Sequence, residues 1–403
     1  MSGLGRQRAV LVFLAFAFAY FFSAVLRAIT ATLAPTLTSE FALSAQELGL
    51  LAGGFFFGFA ATQLPLGQWL DRHGPRRVML GFMGVAIAGC LAFAFAGGFT
   101  ALLAARVLCG VGVSACLMAP LTGFRYWLSP PAQLRANSWM LMTGSLGMLA
   151  STVPVQWLLP LIGWRPVFWG LAAGIGLATA AIAWLLPGWG AAGDAEPAAT
   201  DPDRSYARVW VHPYFRRMAP LGFVNYGGMI AIQSLWAGPW MVRLGGLDAI
   251  HAARGLFAIN FAMLLTFWSW GWLNPWLARR GISVERMIAW GTPISLLVLA
   301  ANVLAGPAAG AASWAAYCVS STFLSLAQPA VGMAFPRVLA GRALSAFNLV
   351  VFAGVFSVQW GIGLIIDALL ALGWTPLSAF RAALATFLVA SVACYAVFLR
   401  AKG

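Results

Sequence analysis

Acidic residues are nearly missing from this chain. Its 403 residues hold 10 Asp plus Glu against 24 Lys plus Arg, and charged residues make up 8% of the total. Lysine occurs once, at Lys402, and histidine three times, at His73, His212 and His251. A soluble protein of this length needs a polar surface. With 62% hydrophobic residues and a mean hydropathy of +0.86, this sequence cannot build one. Soluble enzymes and soluble binding domains are thereby excluded. Irregular backbone cannot face lipid, so the membrane-crossing structure is helices or a closed barrel. The apolar runs are long and continuous, which excludes the short alternating strands of a barrel.

Other absences narrow the function. There is no phosphate-cradling Walker loop, so ATP is not the expected energy source. No Ser, His and Asp set shares a helix or loop that would unite it, so no enzyme and no cofactor is expected. The net charge of +14 does not indicate nucleic acid, because the arginines are scattered through short loops. The five cysteines, Cys90, Cys109, Cys116, Cys318 and Cys394, lie inside apolar runs without disulfide or zinc spacing. Cys109 and Cys116 are seven apart and are expected on one helix face. The first apolar run, from Ala9, is too long for a cleavable signal peptide.

What is present is a series of apolar runs. Twelve spans are expected, at about 9–38, 44–70, 78–97, 99–128, 137–160, 166–187, 215–243, 250–277, 285–305, 308–335, 343–370 and 378–399. Eighteen basic residues fall on the side of the termini and four on the other, which predicts both termini in the cytoplasm. Residues 188–214, with Asp194, Glu196, Asp201 and Asp203 among proline, glycine and alanine, read as a cytoplasmic linker. It separates an N-terminal six-helix bundle, 1–187, from a C-terminal one, 215–403.

The halves repeat. Trp69-Leu-Asp-Arg-His-Gly74 matches Trp276-Leu-Ala-Arg-Arg-Gly281, and Val155-Gln-Trp matches Val358-Gln-Trp. Gly163-Trp-Arg-Pro166 matches Gly373-Trp-Thr-Pro376, and Arg135-Ala-Asn-Ser138 matches Arg342-Ala-Leu-Ser345. The charged segment Gly67-Gln-Trp-Leu-Asp71-Arg72-His-Gly74-Pro-Arg76-Arg77 resembles the loop between the second and third helices of the major facilitator superfamily. Arg106-Val-Leu-Cys-Gly110-Val-Gly112 resembles that family's motif in its fourth helix. The resemblance implies an all-α membrane protein of twelve transmembrane helices in two pseudo-symmetric bundles, which moves a solute by alternating access. It also implies that Gly67, Asp71, Arg72, Gly74 and Arg76 latch the halves in one state. Pro75 and Ala278 depart from the pattern, and the helix-5 motif of drug–proton antiporters is missing, which favours uptake over export.

Charges at bilayer depth are costly and normally face a cavity or a partner. Arg27 and Arg106 lie inside spans, and Asp367 is the one acid placed well inside a span. A guanidinium is permanently charged and binds carboxylates bidentately. The expected substrate is therefore a small organic anion held by Arg27, with Arg106 assisting. Gln63, Gln156, Asn225, Tyr226, Gln233, Trp236 and Gln359 extend the candidate substrate-binding set, and Asp367 is the candidate for proton coupling. A monomer in a bacterial inner membrane is expected, with no bound metal. The alternatives are a multidrug or amphiphile exporter, a copper importer and a non-transporting membrane sensor. Replacing Asp71 by asparagine should slow the transport cycle several-fold and leave equilibrium solute binding nearly unchanged; exchange rates and binding isotherms on the same preparation check this.

Overall fold

The computed structural model describes residues 5–187 and 206–400, so most of the expected linker, 188–205, lies outside the described residues. In chain order the N-terminal half holds α1 (Arg6–Phe41), α2 (Ala45–Ala61), α3 (Gln63–Ala94), α4 (Phe99–Val113), α5 (Ala115–Trp127), α6 (Pro130–Ala150), α7 (Val153–Ile162) and α8 (Trp164–Leu185). A short α9 (Tyr206–Val211) follows within the expected linker. The C-terminal half holds α10 (Pro213–Pro220), α11 (Gly227–Ala231), α12 (Ala237–Arg243), α13 (Ala249–Arg279), α14 (Val284–Ala305), α15 (Ala311–Ser320), α16 (Ala327–Met333), α17 (Arg337–Ala371) and α18 (Pro376–Arg400). Among the described residues there is no strand.

The described residues set out twelve helical runs, ten of which have the length and hydropathy of a membrane crossing. Eight are single apolar runs, and two are pairs bent by 41°, Ala45–Ala61 with Gln63–Leu70 and Arg135–Ala150 with Val153–Ile162. The remaining two are more broken. One runs from α10 to α12 through π-helical turns at Leu221–Tyr226 and Ile232–Trp236. The other joins α15 to α16 through a 3₁₀ turn at Thr322–Leu326. Large apolar side chains such as Trp157, Leu161, Trp184, Trp268 and Leu304 lie on the outside, as a lipid-facing surface requires.

The breaks follow from a local rule. Proline lacks an N–H, so the carbonyl four residues earlier loses its partner. Pro65, Pro120, Pro154 and Pro329 each follow a break by a few residues. At each break a hydroxyl takes up a nearby backbone carbonyl: Thr62 donates to Phe59, Ser114 to Val111, Thr152 to Leu149 and Thr322 to Val319, at 2.6–2.9 Å. These bonds give carbonyls of the turn before each break a side-chain donor where water is scarce.

The charged segment after the second crossing is not the open loop the sequence suggests. Helical backbone continues through α3 with one interruption at Gly74, whose φ of 74° lies in the left-handed region. Glycine adopts this without a Cβ penalty, and Pro75 then starts the next helix at a position that needs no N–H.

The two halves meet along three seams. α17 packs along α2 and the start of α3, α1 meets the second π turn and α12, and α13 meets α6 and α7. α5 packs on α1, α3 and α6 of its own half, and α16 on α10, α14 and α17 of its own. At the face away from the termini, here the distal face, Gly238 of α12 lies against Ala31 of α1, and Gly363 of α17 against Ala45 of α2. The distal ends are thus closed over each other.

Close approach within the N-terminal half depends on glycine. A Cβ on Gly110 of α4 would meet the Phe55 carbonyl of α2, and one on Gly58 of α2 would meet the Val107 carbonyl of α4. Gly110→Val should cost about 1–3 kcal/mol or more through overpacking, seen as a lower thermal unfolding midpoint in detergent than for Gly81→Val, which has open space.

Candidate functional site

Arg27 lies two-thirds of the way along α1, where the halves face each other. It is half-buried, with its guanidinium carbon 5.7 Å from the centre of the Phe59 ring. Its charge acts on the Cys116 thiol of α5 and on the Tyr226 phenol of the C-terminal half. Its Nε is buried and makes no hydrogen bond. The Phe59 ring centre lies 4.5 Å from that of Phe352 of α17, with the rings tilted by 54°, so the floor under the cation is aromatic and continues into the other half. Tyr20 is packed into the space left by Gly144 of α6. Ser23 is buried, and its Oγ donates to the Val113 carbonyl of α4 at 3.5 Å.

Tyr20, Ser23 and Arg27 form one face of α1, at spacings of three and four residues. Sequence reasoning singled out Arg27 and missed the other two, although this helical spacing was the signal available. Cys116 and Phe59 were missed because nothing in the sequence brings α5 or α2 to this face. Cys109 and Cys116 lie on either side of Ser114, whose backbone is helical, within one crossing, Phe99–Trp127.

Arg106 is 1% exposed and sits deeper. Its Nη1 donates to the Leu26 carbonyl at 3.0 Å, and its guanidinium carbon is 4.9 Å from the Phe55 ring centre. Nε and Nη2 have no partner. It therefore grips the backbone of α1 one residue before Arg27 and does not share Arg27's aromatic floor.

The other candidates take varied positions. Gln359 is fully buried; its Nε2 donates to Ser234 Oγ at 2.9 Å, its backbone carbonyl accepts from Trp236 Nε1 at 3.1 Å, and its Oε1 has no partner. Trp236 and Gln359 both lie against Gly49 of α2. Its repeat partner Gln156 is half-buried on α7. Gln233 donates to Asn260 Oδ1 at 2.9 Å. Gln63 returns a hydrogen bond to the Phe59 carbonyl at 3.1 Å, so it serves the break in its own segment. Asn225 donates to the Ser391 carbonyl of α18 at 3.2 Å, within the C-terminal half.

Of the expected latch residues, Gly67 faces Ser345 of α17 across the halves, and Gly74 forms the kink. Arg72 is exposed. Arg76 donates to the Ala183 carbonyl at the end of α8, a bond within its own half. The Asp71 side chain lies outside the described residues. Asp367, at the distal end of α17, accepts from the backbone N–H of Ala45 at 3.1 Å and of Gln46 at 2.6 Å.

Residues 16–359 match the Major Facilitator Superfamily profile, which is most of the chain. The chain belongs to the major facilitator superfamily. As a member of that family it is a multi-pass membrane transporter and not an enzyme. A bacterial homolog to the human lysosomal transporter Spinster, in an inward-facing and unoccupied conformation, superposes with a TM-score of 0.75 at 18% identity, covering 99% of this chain and 98% of that one. A D-xylose-proton symporter does so with a TM-score of 0.79 at 13% identity, covering 98% of both. At these identities the likeness is one of fold. Curated relatives in the superfamily include a probable sulfoacetate transporter of Cupriavidus necator, 27% identical over 158 residues, 38% of this chain and 36% of that protein. A probable L-galactonate transporter of Escherichia coli is 27% identical over 139 residues, 33% of this chain and 29% of that protein. The alignments thus span about a third of each curated relative.

Removing the buried charge of Arg106 should separate stability from function. A buried ion without a full set of partners is often replaced by an apolar residue at no cost or with a gain of about 1–4 kcal/mol. Arg106→Met should hold or raise the thermal midpoint while transport falls about ten-fold or more, checked by unfolding and uptake on the same protein.

Proposed function

We propose that this superfamily member takes up a small organic anion, carrying a single carboxylate or sulfonate, with Arg27 as the residue that binds the charged group. One observation carries the reading. Arg27 faces the other half across the bundle interface, with its Nε unpartnered over an aromatic floor. A carboxylate or sulfonate would complete the guanidinium's hydrogen bonding and compensate its charge in a medium where both matter. The phenols of Tyr20 and Tyr226 would serve the remaining oxygens of a hydroxylated or short-chain acid. The names of the curated relatives, a sulfoacetate and an L-galactonate transporter, support this class of substrate.

The finer features of the proposal rest on charge. The excess of arginine on the side of the termini supports cytoplasmic termini, so the distal face is periplasmic in a bacterial inner membrane. We read 1–187 and 215–403 as the two rocking bundles of a monomer, tethered by 188–214. Nine of the ten acids lie in loops, in the tether or at span ends, and the tenth, Asp367, is bound to the N–H groups of Ala45 and Gln46, so none is offered to the substrate at mid-depth. Proton-driven uptake then couples through the acid substrate itself or through a carboxylate at a gate.

In proteoliposomes, Arg27→Gln should reduce uptake of a short sulfonate or an aldonate about a hundred-fold, with Arg27→Lys intermediate because an ammonium keeps the charge without the fork. Uptake by Arg27→Gln at the parent rate would falsify the anion site.

A further inference from the structure

The first turn of α2 is closed in an unusual way. A helix begins with four backbone N–H groups that have no partner within the helix. In α2 these belong to Ser44, Ala45, Gln46 and Glu47. Two are satisfied locally by a reciprocal capping pair: Glu47 Oε2 accepts from the Ser44 N–H at 3.0 Å, and Ser44 Oγ accepts from the Glu47 N–H at 3.2 Å. The middle two are satisfied by Asp367, which reaches across from α17 with one oxygen for each N–H. A carboxylate at a helix N-terminus also gains from the helix dipole. The seal is therefore made by the opposite half of the molecule and not by α2 itself.

We propose that Asp367 is the latch of the distal gate, holding the distal ends of the two halves together by capping α2 in this state and releasing it when that face opens. The surroundings fit this role. Next to the latch, Ala45 and Gly363 touch backbone to backbone, and one turn further along α2, Gly49 lies against the Gln359 carbonyl and the Trp236 ring. Glycine and alanine at these points let the seam close without side chains to unpack. When the halves part, the N–H groups of Ala45 and Gln46 and both carboxylate oxygens meet water, so each loses a partner but none is left buried. The latch can therefore open at modest cost, as an alternating carrier requires.

The inference rests on the alternation of the superfamily and not on the identity of the solute, so its test uses no solute. A reporter cysteine is placed at Ala34, which is 2% exposed and packed among side chains of both halves near the distal face. Cys394, the one half-buried native cysteine, is replaced by serine. The reporter's reaction rate with a polar maleimide is measured on purified protein alongside the thermal midpoint. Asp367→Asn should raise the labelling rate about ten-fold, equal to ~1.4 kcal/mol of population shift. Asp367→Glu should stay near the parent rate. Ala45→Pro carries the same test with the carboxylate in place. It removes one donor at the first helical position, where proline is tolerated, and Ser44 before it is already extended with ψ 169°. Its effect should be less than additive with Asp367→Asn. Parent labelling rates in both Asp367→Asn and Ala45→Pro, with only the thermal midpoint lowered, would make Asp367 a static cap and overturn the latch. That result would leave the anion site standing, just as indifference of uptake to Arg27 would leave the latch standing.

Discussion

The backbone of α2 lies against the backbone of α17, and the rest of the arrangement depends on that approach. A side chain at Gly49, Gly53 or Gly363 would run into the facing helix. Backbone approach at these glycines alternates with aromatic pairs across the seam, Phe56 and Phe59 with Phe352 and Phe57 with Phe356, and together they fix where the halves meet. Phe59 and Phe352 fall in the same seam at mid-depth, and Arg27 sits over that ring pair. Asp367 closes the seam at its distal end. The proposed site and the proposed gate thus both lie along the α2–α17 seam, the first reached from α1. In an apolar medium, van der Waals packing and a few hydrogen bonds are what hold helices together, so small residues at the contact carry most of the specificity.

The scarcity of acid gives the few charges their meaning. With an abundant supply of carboxylates, Arg27 and Arg106 would have had internal partners. Here Arg106 is held by one backbone carbonyl and an aromatic face, and Arg27 by an aromatic face alone among the described contacts. The one acid well inside a span is committed to two backbone amides. On the proposed reading, the electropositive interior is left for an anion that arrives from outside.

Composition and the loop motif made the fold class legible, because lipid permits few backbone solutions and arginine marks one side. Segment number was legible for the same reason. Bends were less legible: Pro65 and Pro154 stand close after the breaks at Thr62 and Thr152, whose hydroxyls bond back to a carbonyl of the preceding turn. The repeat misled in one respect. Gln156 and Gln359 match in sequence, yet Gln359 is fully buried against Ser234 and Trp236 while Gln156 is half-buried. Symmetry of sequence fixes where a residue lies along a helix and not what the other half offers it. Asn225, Gln63 and Asp367 show the same limit. Each was read from depth alone, and each found a partner, in α18, in its own segment and at the start of α2, that only the packing of helices decides.

On the proposed reading, charge also explains why a solute should drive the cycle. A ligand can shift a two-state equilibrium only by its difference in affinity for the two states. Arg27 on its own opposes closure on either side, since closing removes water from a guanidinium that has no acid to receive it. A bound carboxylate or sulfonate reverses this. With the charge compensated, exclusion of water strengthens the pair, and closure over the occupied site becomes favourable. The empty carrier faces the same desolvation without compensation, so its return step is where a helix cap such as that of Asp367 has its use. Two backbone N–H bonds and a helix dipole are of the size, about 1–2 kcal/mol, that can offset part of the cost of closing an empty site without locking it. A latch made of a buried ion pair would be harder to release, and a purely apolar seam would not distinguish one end of the bundle from the other.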